Sequence, residues 1–116
     1  MNLGKYGEGK AKKFLTAMGY ELLKQNYRYD RAEIDLVFKD EINKVLIFTE
    51  VKTRRTKTFG EPEDSVTIAK QKQLRKSAEG FISQHGEFSE YEKRFDVVTI
   101  YINRGKEDIN HIVNAF

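Results

Sequence analysis

The octapeptide VLIFTEVK, residues 45–52, decides how this chain is read. Its first four residues form the longest apolar run in the sequence without a polar break. Consecutive apolar positions bury both faces of a strand, so residues 45–52 are predicted to be a central strand covered from two sides. The pattern then breaks. Glu50 and Lys52 are two residues apart, share a face with Leu46 and Phe48, and lie about 6.6 Å apart along the strand. An acid and a lysine at the end of a core strand cost free energy unless they are paired or used.

The preceding segment repeats the anomaly. In residues 33–39, Ile34, Leu36 and Phe38 alternate with Glu33, Asp35 and Val37, which predicts a strand with Glu33 and Asp35 on one face. A turn at residues 40–43 separates the two strands. Paired as a hairpin, their ends would gather Glu33, Asp35, Glu50 and Lys52, although sequence alone leaves the register open. Further upstream, residues 20–29 are rich in β-prone aromatics and predict another strand, followed by a turn at Asp30 and Arg31. Ala11, Phe14, Leu15 and Met18 form one helical face that stops at Gly19. Downstream, residues 53–64 read as a polar, basic loop holding the only proline, Pro62. A helix is predicted over residues 66–84, with Leu74, Ala78, Phe81 and Ile82 on its apolar face. A charged loop over residues 85–93, a strand over 95–102 and a last strand over 109–115 complete the order αβββαββ. This is an α/β chain with a mixed central sheet flanked by helices.

Composition narrows the function classes. A chain of 116 residues makes one domain, here residues 1–116. Hydrophobic residues make up 39%, enough for an ordinary core. There is no cysteine, which excludes disulfides, thiolate metal sites and a cysteine nucleophile. The N-terminal residues have no apolar run resembling a secretory signal, and no segment approaches the ~18 apolar residues of a membrane helix. A soluble, cytoplasmic protein with no membrane partner is the expectation. Net charge is only +3, yet residues 52–76 hold eight bases against three acids, a local net of +5. Such a concentrated field suits a polyanion.

Clustered carboxylates are hard oxygen ligands suited to Mg²⁺ or Mn²⁺. A neighbouring lysine can orient an attacking water or offset charge building on phosphorus. The plainer alternatives are an edge salt bridge for Glu50 and Lys52 and solvated positions for Glu33 and Asp35. Arg54, Arg55 and Lys57 are candidate nucleic-acid contacts, or else a solvated loop. Lys70 either reaches a phosphate beside the site or snorkels from a boundary position. Phe59 and Gly60 sit in the same basic loop. Arg94 and Asp96 read as a structural ion pair, and His85 and His111 as isolated.

The E-x-D and E-x-K elements resemble the restriction-endonuclease-like, or PD-(D/E)XK, nuclease fold, with Asp35 at its first acidic position. The chain more closely resembles the YraN-like family, uncharacterised protein family 0102, along almost its whole length. GKYGEGKA from Gly4, GYELLKQNYR from Gly19, AEIDLV from Ala32, FTEVKTRRTKTFGEPEDSV from Phe48, RFDVV from Arg94 and the terminal HIVNAF carry the resemblance. Ala32 departs from it, standing where the family usually has glycine. The resemblance implies a restriction-endonuclease-like three-layer fold related to archaeal Holliday-junction resolvases. It implies metal binding by Asp35, Glu50 and the Val51 carbonyl, with Lys52 assisting the attacking water and Glu8 completing the acidic cluster. The expected activity is Mg²⁺- or Mn²⁺-dependent hydrolysis of phosphodiester bonds in nucleic acid, DNA foremost and branched DNA in particular. The alternative is a non-catalytic nucleic-acid-binding module on the same fold. Cutting both strands of a junction needs two sites, which makes a homodimer attractive.

Overall fold

A computed structural model describes residues 2–55 and 66–116. Helix α1 (Leu3–Ala17) opens with Asn2, whose side chain accepts the Lys5 N–H at 3.0 Å. Its buried face is Gly7, Ala11 and Leu15. Met18, predicted on that face, is instead 48% exposed. It caps the helix rather than continuing it, so helical spacing no longer aims its side chain inward. Gly19 follows with φ of 95°, a conformation that ends the helix at little cost only for glycine.

The strands are β1 (Glu21–Tyr29), β2 (Ala32–Asp40), β3 (Val45–Arg54), β4 (Glu92–Asn103) and β5 (Lys106–Ile112). Helix α2 (Ile68–Gln84) and a short 3₁₀ turn (Gly86–Phe88) stand between β3 and β4. The sheet order is β1-β2-β3-β4-β5, with β3 in the middle as expected from its two apolar faces. Only β3 and β4 run parallel, the pair joined through α2. Leu46 and Phe48 pack with Ile34, Val37, Leu74, Ala78 and Phe81 on the α2 side. Ile47 packs with Leu36, Phe38, Val98, Ile100, Ala11 and Leu15 on the α1 side. The apolar run is thus covered twice, and the αβββαββ order holds.

Three sequence expectations about the strands are corrected. Thr53 and Arg54 were expected in a loop but extend β3, pairing with Ile100 and Tyr101. β5 begins at Lys106 rather than Ile109, since an exposed edge strand tolerates the charged Lys106-Glu107-Asp108 run. The turn at Arg104 and Gly105 has positive φ at both residues, 49° and 80°, which suits a tight hairpin. Strict alternation in β2 also fails: Ile34 joins the α2-side core whereas Leu36 joins the α1-side core. The break falls at Asp35. Across from it, between the Gln25–Leu36 and Tyr27–Ile34 pairs, Asn26 takes φ of 54°.

Asp96 ties the C-terminal segment down. It accepts from Arg94 at 2.9 and 2.8 Å, from the Asn114 N–H at 3.0 Å, and contacts His111 Nε2 at 2.8 Å. The Arg94–Asp96 pair is therefore present, while His111 is part of it rather than isolated. His85 stacks on Phe81.

Candidate active site

The sheet forks where the acids meet. β2 and β3 pair from Asp40–Val45 to Leu36–Thr49 and no further. Beyond that point β2 continues with β1 to Ala32, and β3 continues with β4 to Arg54. Backbone groups facing the fork need other partners. Asp35 supplies one, accepting the Val51 N–H on Oδ2 at 2.8 Å. The N–H and C=O of one strand residue project to the same side. The Val51 carbonyl therefore also faces the fork.

Glu50 lies beside Asp35 and feels its charge. Burial and then the Asp35 charge push Glu50 up to about 7, against the opposing pull of Lys70 and Lys52. Burial also raises Asp35, partly offset by the Val51 N–H and Glu50. Glu50 Oε2 is buried with no hydrogen-bond partner among the described residues, and so is Thr49 Oγ1. Unsatisfied buried oxygens are rare in folded proteins, and this one sits on a carboxyl already held in an unfavourable place.

Glu8 arrives from α1. Burial first, and then the Asp35 charge, raise its pKa, partly offset by the neighbouring side chains of Asn26 and Gln25. The approach of α1 depends on Gly7: a Cβ there would lie 1.8 Å from Thr53 Oγ1. Glu33 stands at the rim, ion-paired with Arg28 at 3.2 Å, and its charge reaches Asp35 and Glu8. From the opposite face, the first turn of α2 brings Lys70. Its N–H is accepted by the capping Thr67 hydroxyl at 3.2 Å. Glu50, Lys52, Val66, Thr67 and Lys70 line a cavity of about 270 Å³.

The fold thus brings together Asp35, Glu50, Lys52, Lys70 and the Val51 backbone, with Glu8 adjoining Asp35 and Glu33 outside. Arg54 and Arg55 are exposed at the end of β3. Lys57, Phe59, Gly60 and Pro62 lie outside the described residues. Sequence reasoning missed Asn26, Gln25 and Gly7. Only Gly7 left a signal, since it extends the Ala11–Leu15 face by one turn with the smallest residue.

A divalent cation can be weighed against these donors. Among the described residues, no three His, Cys, Asp or Glu side chains are grouped closely enough to hold an ion. Mg²⁺ needs less, commonly one or two carboxylates with waters filling the remaining positions. Two adjoining carboxyls, one with an unpartnered oxygen, and a carbonyl facing the same gap fit that requirement.

Comparison with known proteins places the chain in context. The model of uncharacterised protein family UPF0102 matches residues 7–100. A UPF0102 protein of Caldicellulosiruptor saccharolyticus is 44% identical over 116 residues, covering 98% of this chain and 96% of the relative. One from Caldicellulosiruptor bescii is 44% identical over 122 residues, covering 100% of both chains. One from Desulforamulus reducens is 38% identical over 115 residues, covering 97% of this chain and 93% of the relative.

Proposed function

The chain belongs to uncharacterised protein family UPF0102, a description that names no reaction, and from the geometry of the fork we propose a metal-dependent nuclease that hydrolyses phosphodiester bonds in DNA. The observation that carries this reading is the Asp35–Glu50 pair, two half-buried carboxyls, one with a buried and unpartnered oxygen, faced by lysines from a strand and a helix. A purely structural acid pair at this depth would be expected to have all its oxygens satisfied.

Asp35, Glu50 and the Val51 carbonyl would hold Mg²⁺ or Mn²⁺, which would supply Lewis-acid stabilisation of the phosphate and a more acidic water. The phosphate enters the cavity between β3 and α2. Lys52 and Lys70 approach it from two separate elements, and their ammonium groups offset the charge that builds on the phosphoryl oxygens. Lys52 also orients the attacking water. Arg54 and Arg55 follow the flanking backbone, contributing affinity without sequence information. Branched DNA is the proposed preferred form, and paired cuts across a junction would require two copies of the chain.

The test is one assay. Wild type, Lys52→Ala and Glu50→Gln are incubated with duplex, single-stranded, flapped and four-way-junction DNA in Mg²⁺, Mn²⁺ or EDTA. Cation-dependent cutting by wild type, reduced at least 100-fold in both variants, is the expected result. Salt-sensitive DNA binding with no cutting of any substrate would replace this reading with a non-catalytic binding module, which the basic segment also suits. No binding at all would remove both.

A further inference from the structure

The face of the sheet that carries Glu50, Lys52 and Arg54 continues across β4 and β5. Parallel pairing sets Lys52 beside Thr99 and Arg54 beside Tyr101. Antiparallel pairing sets Thr99 beside Asn110, Tyr101 beside Asp108 and Asn103 beside Lys106. Directly opposed residues share a face. This strip therefore runs unbroken from the acid pair to the β4–β5 turn. A second cavity opens on it, about 520 Å³, lined by Tyr101, Asn103, Lys106, Asp108, Ile109 and Asn110. Its volume falls within the range of small-molecule sites. It begins at Tyr101, one strand over and two residues along from Lys52, roughly 8 Å away.

The lining is chemically unlike the first cavity. Lys106 and Asp108 cancel in charge, so no net field draws a phosphate in, and the Asp108 carboxylate repels one. Asn103 offers both a donor and an acceptor. Asp108, when ionised, accepts only. Tyr101 adds an aromatic wall. A neutral, flat, hydrogen-bonding ligand suits this set, attached to a chain whose phosphates reach the neighbouring cavity.

We propose that the β4–β5 cavity receives an unpaired nucleobase bearing an exocyclic amino group, adenine, cytosine or guanine, one or two nucleotides from the phosphate held between β3 and α2. This deepens the nuclease reading and rests on it. Asp108 accepts from the exocyclic amino group, as acidic side chains do at cytosine N4, and the Asn103 amide bonds the adjoining ring edge. A paired base is tied up in its own duplex and does not enter. The substrate class is thus nucleic acid with at least one unstacked nucleotide beside the cut, which flaps and junctions provide and plain duplex does not.

The test is fluorescence anisotropy in EDTA, so that cutting plays no part. Probes are otherwise identical duplexes that are fully paired or carry one bulged adenosine, one bulged thymidine or one abasic bulge. Wild type is expected to bind the adenosine bulge at least fivefold more tightly than the other three. Asn103→Ala with Asp108→Asn should erase that preference, while Glu50→Gln keeps it. Both cavity positions are exposed, so the fold is expected to survive these changes. Equal wild-type affinity for all four probes overturns the proposal while leaving the nuclease reading intact. So does a uniform gain in affinity of the double variant for every probe, which would mark Asp108 as mere repulsion. Failure to bind any probe in low salt, with Ca²⁺ supplied as well as in EDTA, overturns both readings together.

Discussion

Asp96, fully buried, and Glu50, half-buried, are acids on adjacent strands, and they have been treated in opposite ways. In the register of β3 and β4, Asp96 stands beside Thr49 and Glu50 beside Val97. Asp96 has a fully buried side chain and draws hydrogen bonds from Arg94, the Asn114 N–H and His111. Burial pushes its pKa up, but the bonds from His111, Arg94 and Asn114 outweigh it and hold the carboxyl below its usual value. Glu50 is half-buried beside another carboxyl, keeps one buried oxygen unpartnered and is pushed up to about 7. Loss of hydration raises both pKa values, and Asp96 is the more buried, so the partners make the difference. Asp96 uses its charge to stabilise the fold. Glu50 holds its charge at a cost, a mark of a site shaped for something other than stability.

That contrast can be broken most directly at Asp96. Asp96→Ala removes the acceptor shared by Arg94, His111 and Asn114 and is expected to cost about 3–5 kcal/mol at pH 7. Because its folded pKa lies below the ordinary 3.8, the contribution is complete above that value and disappears as pH falls through the folded pKa. Urea unfolding at pH 7 and at pH 3 should show the difference between variant and wild type shrinking in acid. A constant difference would mean that Asp96 acts through packing alone.

Glu50→Gln should move stability the other way. Its folded pKa of about 7 exceeds the ordinary 4.5, so the wild-type fold loses stability as pH rises between those values. The variant is expected to be more stable than wild type by about 1–3 kcal/mol at pH 8 and nearly equal to it at pH 4.5. A loss of stability at pH 8 would place Glu50 with Asp96 as a structural acid and erase the comparison.

Gly7→Ala probes how closely α1 is pressed onto the fork. The new Cβ would meet Thr53 Oγ1 at 1.8 Å and Thr53 Cβ at 3.1 Å. A loss of about 1–2 kcal/mol in thermal unfolding is expected, with partial recovery when Thr53→Ala is added. Full additivity of the two changes would show that the helix relaxes elsewhere. The smallest effect belongs to the exposed bases. Arg54→Ala and Arg55→Ala should leave stability within about 0.5 kcal/mol of wild type, while each lowers the salt dependence of DNA binding by about one unit of slope.

Much of the fold could be read from particular residues. The VLIF run announced a strand covered on both sides, and Leu46, Ile47 and Phe48 do divide between two cores. Ala11 and Leu15 marked the buried face of α1, and Leu74, Ala78 and Phe81 that of α2. The start of β5 was missed because a charged edge strand has no apolar alternation to read. His111 was missed because a lone histidine carries no spacing signal. Its partner lies fifteen residues away, on the neighbouring strand.

The candidate site was legible as a set of residue types and hidden as an arrangement. E-x-D and E-x-K pointed to acids and a lysine at strand ends, since charged groups interrupting a buried pattern need a reason. Sequence could not show that β2 and β3 part after Leu36 and Thr49, or that Asp35 takes the Val51 N–H left over at that point. It could not show that Glu33 turns to Arg28 while Glu8 comes in from another element.

Sequence by itself determined the order of elements, the central strand and the identity of the charged groups, because burial and periodicity act on side chains that the sequence states outright. Only the tertiary structure decided the fork, the adjoining carboxyls and the β4–β5 cavity. Strand pairing is made by backbone groups that every residue carries alike. Where a pairing stops, and which side chain takes its place, therefore depends on how the whole sheet and both helices pack.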